Sequence, residues 1–149
     1  MNLGNFIEQA PAIMHAGTEA QKAYFLPRLV RGEVTFALGY TEPSGGTDLA
    51  SLKTRAVEDE DGFVINGQKV FTTRAESSSH IYLMARTDLE APKHKGISIF
   101  LVPMDSPGIT VRPLWTLPGG RTNEVFFEDV RVPKDTLLGE RNGGWYIGA

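Results

Sequence analysis

Residues Phe63–Thr73 read FVINGQKVFTT, and the fold of the chain turns on them. Their β-branched and aromatic residues are strand formers. Asn66-Gly67 in the middle is the strongest short hairpin signal available, because both turn positions accept positive φ. The stretch is therefore expected to be two strand arms around a tight turn. The same period-2 pattern extends in both directions. Before it lie VTFALGY (34–40) and SLKTRAVED (51–59), the latter with Leu52, Thr54 and Ala56 on one face. After it lie HIYLMART (80–87), GISIFLVPM (96–104), GITVRPLW (108–115) and NEVFFEDVRVP (123–133). These make about seven strands, separated by turn signals such as Asp61-Gly62 and Pro107-Gly108, the pattern of an antiparallel barrel or sandwich.

The flanks read differently. FIEQAPAIMHAG (6–17) is a short apolar helix with Gly17 as its stop. Thr18 and Gln21 form a capping box for a second helix, with Ala20, Ala23, Tyr24 and Leu26 as its apolar stripe. Pro27 is expected to limit that helix, and Gly32 to close the region. Residues 134–149 read as a linker whose last residues, GWYIGA, begin another helix. This order gives three regions: the end of a helical domain at 1–33, a β-barrel domain at 34–138, and a linker with the start of a helical domain at 139–149.

The chain has 149 residues, 41% of them hydrophobic and 22% charged, which suits one packed domain and part of another. A net charge of -3 argues against a nucleic-acid or anionic-membrane surface. With no cysteine there is neither a disulfide framework nor a zinc thiolate site. No apolar run approaches the roughly 20 residues of a membrane span. The start, MNLGNFIEQAP, lacks the basic head and apolar run of a signal peptide. A cytoplasmic protein is the default expectation, with a processed organelle protein as the alternative. His15, His80 and His94 lack metal-ligand spacing. Glu58-Asp59-Glu60-Asp61 reads as a solvated hairpin tip. Arg121 reads as a surface ion-pair residue, with phosphate contact as the alternative.

Two segments carry polar chemistry. Tyr40–Leu49, YTEPSGGTDL, follows a strand and holds a proline, two adjacent glycines and three hydroxyls. Successive N–H groups in such a turn form a concave anion site. It matches neither G-x-G-x-x-G nor a P-loop, and a plain surface turn is the competing interpretation. Asp48 reads as a turn residue bonding its own backbone. Val70–Thr73 ends a strand with an aromatic ring beside two hydroxyls. That combination grips a flat heteroaromatic ring by stacking and hydrogen bonding, although an ordinary strand has the same composition.

Taken together, GTEAQKAYFLPRLVRGE, YTEPSGGTDLASLKTRA, FVINGQKVFTT and NEVFFEDVRVPKDTLLGE occur in an order and spacing that resemble the acyl-CoA dehydrogenase family over nearly the whole chain. The family's forms of these motifs are close to G-T-x-x-Q-K-x-x-x-L-P-x-L-x-x-G-E, T-E-P-x-x-G-S-D, I-N-G-x-K-x-W-I-T and F-x-x-V-x-V-P. The resemblance implies a mainly β middle-domain barrel with helices on its N-terminal side, from a flavoprotein that binds FAD. It implies oxidation of an acyl-CoA to the trans-2-enoyl-CoA, with loss of an α-proton and transfer of a hydride to flavin N5.

By the same resemblance Leu38, Gly39, Tyr40, Thr41, Gly46 and Thr47 run along the cofactor. Thr41 bonds the flavin ring, and Thr47 replaces the usual serine near the phosphate and the acyl-CoA substrate. Phe71, Thr72 and Thr73 match Trp-Ile-Thr, with Phe71 packing on the flavin and Thr73 placing its hydroxyl near N5. Glu42 and Asp48 are expected to fold into the turn itself. The family's catalytic base is a glutamate on a C-terminal bundle, and no glutamate here matches it, so no catalytic residue is assigned. The isolated chain is expected to be inactive. An electron-transfer flavoprotein as acceptor and a homodimer or homotetramer are further implications. The alternatives are an acyl-CoA oxidase or related flavin enzyme of the same fold, and a non-catalytic β-barrel binding module.

Overall fold

The computed structural model describes residues 3–148, with side chains from residue 8 onward. Met1 and Asn2, part of the segment read for a leader, lie outside the described residues.

Two helices open the chain, α1 (Leu3–Ala16) and α2 (Glu19–Val30). The capping box at α2 forms as expected: Thr18 Oγ1 accepts from the Gln21 N–H, and Gln21 Oε1 accepts from the Thr18 N–H. The apolar stripe differs. The buried positions of α2 are Gln21, Phe25 and Leu29, whereas Tyr24 and Ala23 are exposed. The i, i+4, i+8 series wins because Gln21 donates from its amide to the carbonyls of Asp135 and Leu137, which pins that face to the β-domain. Nor does Pro27 end the helix, which continues to Val30. The Pro27 carbonyl still accepts from Arg31, and the turn at Gly32, with φ of 72°, completes the stop.

Eight strands follow: β1 (Phe36–Gly39), β2 (Arg55–Glu58), β3 (Gly62–Lys69), β4 (His80–Arg86), β5 (Ile97–Pro103), β6 (Ile109–Thr116), β7 (Gly120–Pro133) and β8 (Leu137–Leu138). The sheet runs β6-β7-β3-β2-β4-β5-β8, with β1 attached to β4. The mainly β class with N-terminal helices holds, but the sheet is an open path rather than a closed ring. It is also mixed: β1 pairs with β4 in parallel, and β2 meets β4 in parallel at Arg55 and Arg86.

The Asn66-Gly67 hairpin does not form. Gly62–Lys69 is one strand, antiparallel to β7 throughout, and the register shift between Ile65 and Gly67 sets Asn66 opposite two β7 residues, Glu128 and Asp129, so the bulge lies on β7. The Asn66 side-chain amide clasps Asp129, accepting from the Asp129 N–H and donating to its carboxylate, and Asp129 takes the left-handed conformation with φ of 48°. Gly67, with φ of 152°, lies against Thr54, whose Cα would be 2.7 Å from an added Cβ. The fourteen-residue β7 offers a partner across the whole stretch, and the strand runs on where the sequence signals a turn. The hairpin that does form is β2–β3, over the acidic tip ending at Gly62.

β4 and β5 are buried on both faces, which explains their continuous apolar runs. Ile81, Leu83, Phe100 and Val102 pack inward with Phe63, Ile65, Val125 and Phe127. On the opposite face Tyr82, Met84, Ile99 and Leu101 pack against Ile13, Phe25 and Leu29 of the helices. A short helix, α3 (Gly144–Gly148), lies on β5. A Cβ on Gly144 would sit 2.7 Å from the Ser98 carbonyl carbon, so only glycine allows this approach.

Candidate functional site

The two chemistry-bearing segments meet. The Thr41 carbonyl accepts from the Val70 N–H at 2.9 Å, so the turn after β1 is stitched to the end of β3 just before Phe71. Pro43 and Ser44 then reverse the chain, and the Gly45 N–H returns to the Glu42 carbonyl at 3.1 Å. Gly46 covers Thr41: a Cβ on it would lie 3.8 Å from the Thr41 methyl. Gly46 and Thr47 are exposed at the outer end, and their backbone N–H groups have no partner among the described residues.

Beneath the turn lies a buried ion pair. Lys69 is fully buried and its ammonium is 2.9 Å from Glu42 Oε1; it also donates to the Tyr40 carbonyl at 3.1 Å. The Glu42 carboxylate accepts in addition from the backbone N–H groups of Lys53 (2.6 Å) and Thr54 (2.8 Å). Burial opposes ionisation of Glu42, but the Lys69 charge and these donors hold its carboxyl below the usual range. Burial also lowers the Lys69 pKa, against the raising field of Glu42. Glu42 thus folds under the loop, as expected of it. Asp48 does not: its carboxylate points out to Lys93, 2.7 Å away, and makes no cap hydrogen bond. A cation within reach outcompetes a strained bond to its own turn.

The second segment alternates sharply. Phe71 is 60% exposed and held at φ of 54°, a left-handed conformation rare for an aromatic residue. Thr72 is fully buried; its N–H donates to the Asn123 carbonyl, its carbonyl accepts from the Asn123 side-chain amide, and its hydroxyl has no partner among the described residues. Thr73 is exposed, with its hydroxyl 3.3 Å from that of Thr122. Only Phe71 and Thr73 therefore present side chains outward, and Thr72 anchors them.

Leu38, Gly39 and Tyr40 divide from the rest. Leu38 packs with the helix-facing core, Gly39 is buried against Ile81 and Leu83, and the Tyr40 hydroxyl donates to the Gly148 carbonyl. Burial pushes the Tyr40 hydroxyl up to about 12, so it stays protonated as a donor. Tyr40 and Leu38, with Glu8, Tyr82 and Ile147, line a cavity of about 350 Å³. Arg121 forms no ion pair; its guanidinium bonds the Asn123 side chain.

Lys69 is the lysine of the I-N-G-x-K motif, but the motif alone gives it no role. It has the same parity as Phe63 and Ile65, the inward positions of β3, and a charge in phase with a core requires a buried partner. Asn123, which braces Thr72, carries no comparable signal.

The threonine hydroxyls, the exposed ring, and the N–H groups without partners among the described residues are of a kind that suits a ligand with a flat heteroaromatic portion and a phosphate. A family model for the acyl-CoA dehydrogenase middle domain matches residues 37–130, and the chain belongs to the acyl-CoA dehydrogenase family. It is 51% identical over 138 residues to acyl-CoA dehydrogenase FadE29 of Mycobacterium tuberculosis, covering 92% of this chain and 36% of that protein. Among solved structures, the Tcur3481-Tcur3483 steroid ACAD superimposes with a TM-score of 0.92 at 50% identity, over 96% of this chain and 37% of that one. Butyryl-CoA dehydrogenase from Megasphaera elsdenii does so with a TM-score of 0.85 at 36% identity, over 93% and 37%. The chain thus spans little more than a third of the length of these relatives. Among the described residues no helix is long and apolar enough to cross a membrane.

Proposed function

We propose that this chain is the flavin-cradling portion of an FAD-dependent acyl-CoA dehydrogenase. The observation that carries the proposal is the Val70–Thr41 hydrogen bond, which sets an exposed aromatic ring and two threonines of separate motifs along one edge. When bound, FAD supplies the acceptor for the hydride leaving the acyl β-carbon. Phe71 packs against the flat ring system, and its left-handed backbone holds it outward for that purpose. Thr41 and Thr73 orient the ring by hydrogen bonds. The free N–H groups of Gly46 and Thr47 donate to the pyrophosphate, and Thr47 also borders the acyl-CoA.

Residues 34–138 form the cofactor domain, 1–33 the end of a helical domain and 139–149 the approach to another. Glu42, the glutamate of the loop itself, is buried under it in its ion pair. By resemblance to the family, the carboxylate that removes the α-proton is a glutamate of a C-terminal helical bundle, and no glutamate here matches its motif, so the chain alone is inactive. Electrons leave to an electron-transfer flavoprotein, within a dimeric or tetrameric assembly. Transfer to oxygen instead, as in an acyl-CoA oxidase, is separated by oxygen consumption during turnover.

The test is Thr73→Ala. In a longer protein that contains this chain, weaker flavin binding or slower flavin reduction by acyl-CoA is expected, and unchanged values for both refute the assignment. A protein that binds acyl-CoA but no flavin would point instead to a binding module.

A further inference from the structure

The buried pair beneath the turn has a function beyond filling the core. An ammonium with no exposed surface is a costly way to occupy a β-strand position, since burying two charges is often no more stabilising than an apolar pair. Its hydrogen bonds are directional, however, and they converge on one place. Lys69 Nζ binds the Tyr40 carbonyl and Glu42, the residues on either side of Thr41. Glu42 in turn is fixed to the backbone of Lys53 and Thr54, where the chain leaves the loop. Lys69 itself lies two residues before Phe71, on the strand end that presents the ring. Thr41 is thus clamped at both neighbours to the element that carries Phe71 and Thr73.

We propose that Lys69 and Glu42 are positioning residues for the cofactor: the pair sets the register between the Thr41 loop and the Phe71–Thr73 segment, so that both address one ring. The inference rests on the flavin assignment above. An apolar pair would fill the same volume but leave the register of the loop on the strand to the Val70–Thr41 bond alone.

The test is a double-mutant cycle read by FAD titration of the purified protein, using quenching of flavin fluorescence. The pair variant Glu42→Gln/Lys69→Met removes both charges, keeps an amide oxygen as acceptor for one of the Lys53 and Thr54 N–H groups, and leaves no unpaired buried charge. It is combined with Thr41→Val. The pair variant is expected to weaken FAD binding about fivefold or more, the worth of one misplaced hydrogen bond, and to alter the fine structure of the bound flavin's visible spectrum. In the Thr41→Val background the same change is expected to have less than about half that effect, because the bond it positions is already gone. Retained affinity, or equal effects in both backgrounds, overturns the positioning role. If the pair variant loses its far-UV circular dichroism, Lys69→Arg/Glu42→Asp, which keeps both charges but shifts the geometry, takes its place with the same expected outcomes. Absence of FAD binding by the unsubstituted protein fells the flavin assignment, and the positioning role with it. Binding that survives the pair substitution fells the positioning role alone.

Discussion

Replacing Glu42 by leucine strands the Lys69 ammonium in the protein interior. The side chains of Lys69 and Glu42 are 0% and 5% exposed, so neither can turn to water without opening the loop. Removing one partner of such a pair costs about 3–5 kcal/mol, a large share of the roughly 5–15 kcal/mol of a typical domain. Part of the loss comes from the Lys53 and Thr54 N–H groups, which lose their acceptor at any pH. The rest depends on protonation. Burial already lowers the Lys69 pKa with Glu42 present, and without that carboxylate it falls further. Between this depressed folded value and about 10.4 in the unfolded chain, the unfolded state binds more protons, so stability rises with pH by up to about 1.4 kcal/mol per pH unit. The window opens at lower pH in Glu42→Leu than in the parent, so the cost of the substitution is largest near pH 6 and shrinks toward pH 9. Urea unfolding followed by far-UV circular dichroism at pH 6, 7.5 and 9 measures this. A cost below about 1 kcal/mol, or one constant across that range, refutes the assignment of a charged, coupled pair.

Three further outcomes follow from the same geometry. Glu42 has a folded pKa below its unfolded value, so its stabilisation is complete above about pH 4.3 and is lost as pH falls through the lower folded pKa. Glu42→Gln therefore flattens the stability profile between about pH 5 and 3 in acid titrations monitored by circular dichroism. Phe71→Gly relieves a left-handed backbone at a side chain that is 60% exposed; the ligand-free protein gains up to about 1 kcal/mol in urea unfolding while FAD binding weakens. Gly144→Ala forces a Cβ to within 2.8 Å of the Ser98 Cα, lifting α3 from β5, and is expected to lower thermal stability by about 1–3 kcal/mol in calorimetry.

Much of this architecture is legible in the chain. The two-face burial of β4 and β5 is written in their unbroken apolar runs, and the capping box at Thr18 and Gln21 needs only four residues to specify. Asn66-Gly67 misleads because a local turn signal yields to β7, some sixty residues away, which pairs with the whole stretch and bulges opposite Asn66. The stripe of α2 misleads for a similar reason. Gln21 looks polar and outward until Asp135 and Leu137 offer it two carbonyls. At the site, Thr41, Phe71 and Thr73 are marked by type and motif. Their meeting is not, since it depends on the Val70–Thr41 bond. Thr72 shows the limit of motif matching: β3 ends at Lys69, the left-handed backbone at Phe71 breaks the alternation, and Thr72 turns into the core in place of Phe71.

The most direct test of the account is titration of this chain with FAD, alongside a Thr41→Ala/Thr73→Ala variant, by quenching of flavin fluorescence. Saturable binding that weakens in the double variant is the predicted result, because the proposed site sets those hydroxyls on the ring from the two segments that Val70 joins. Equal binding by both proteins, or none by either the chain or a longer protein that contains it, would contradict the claim that this edge is a flavin site.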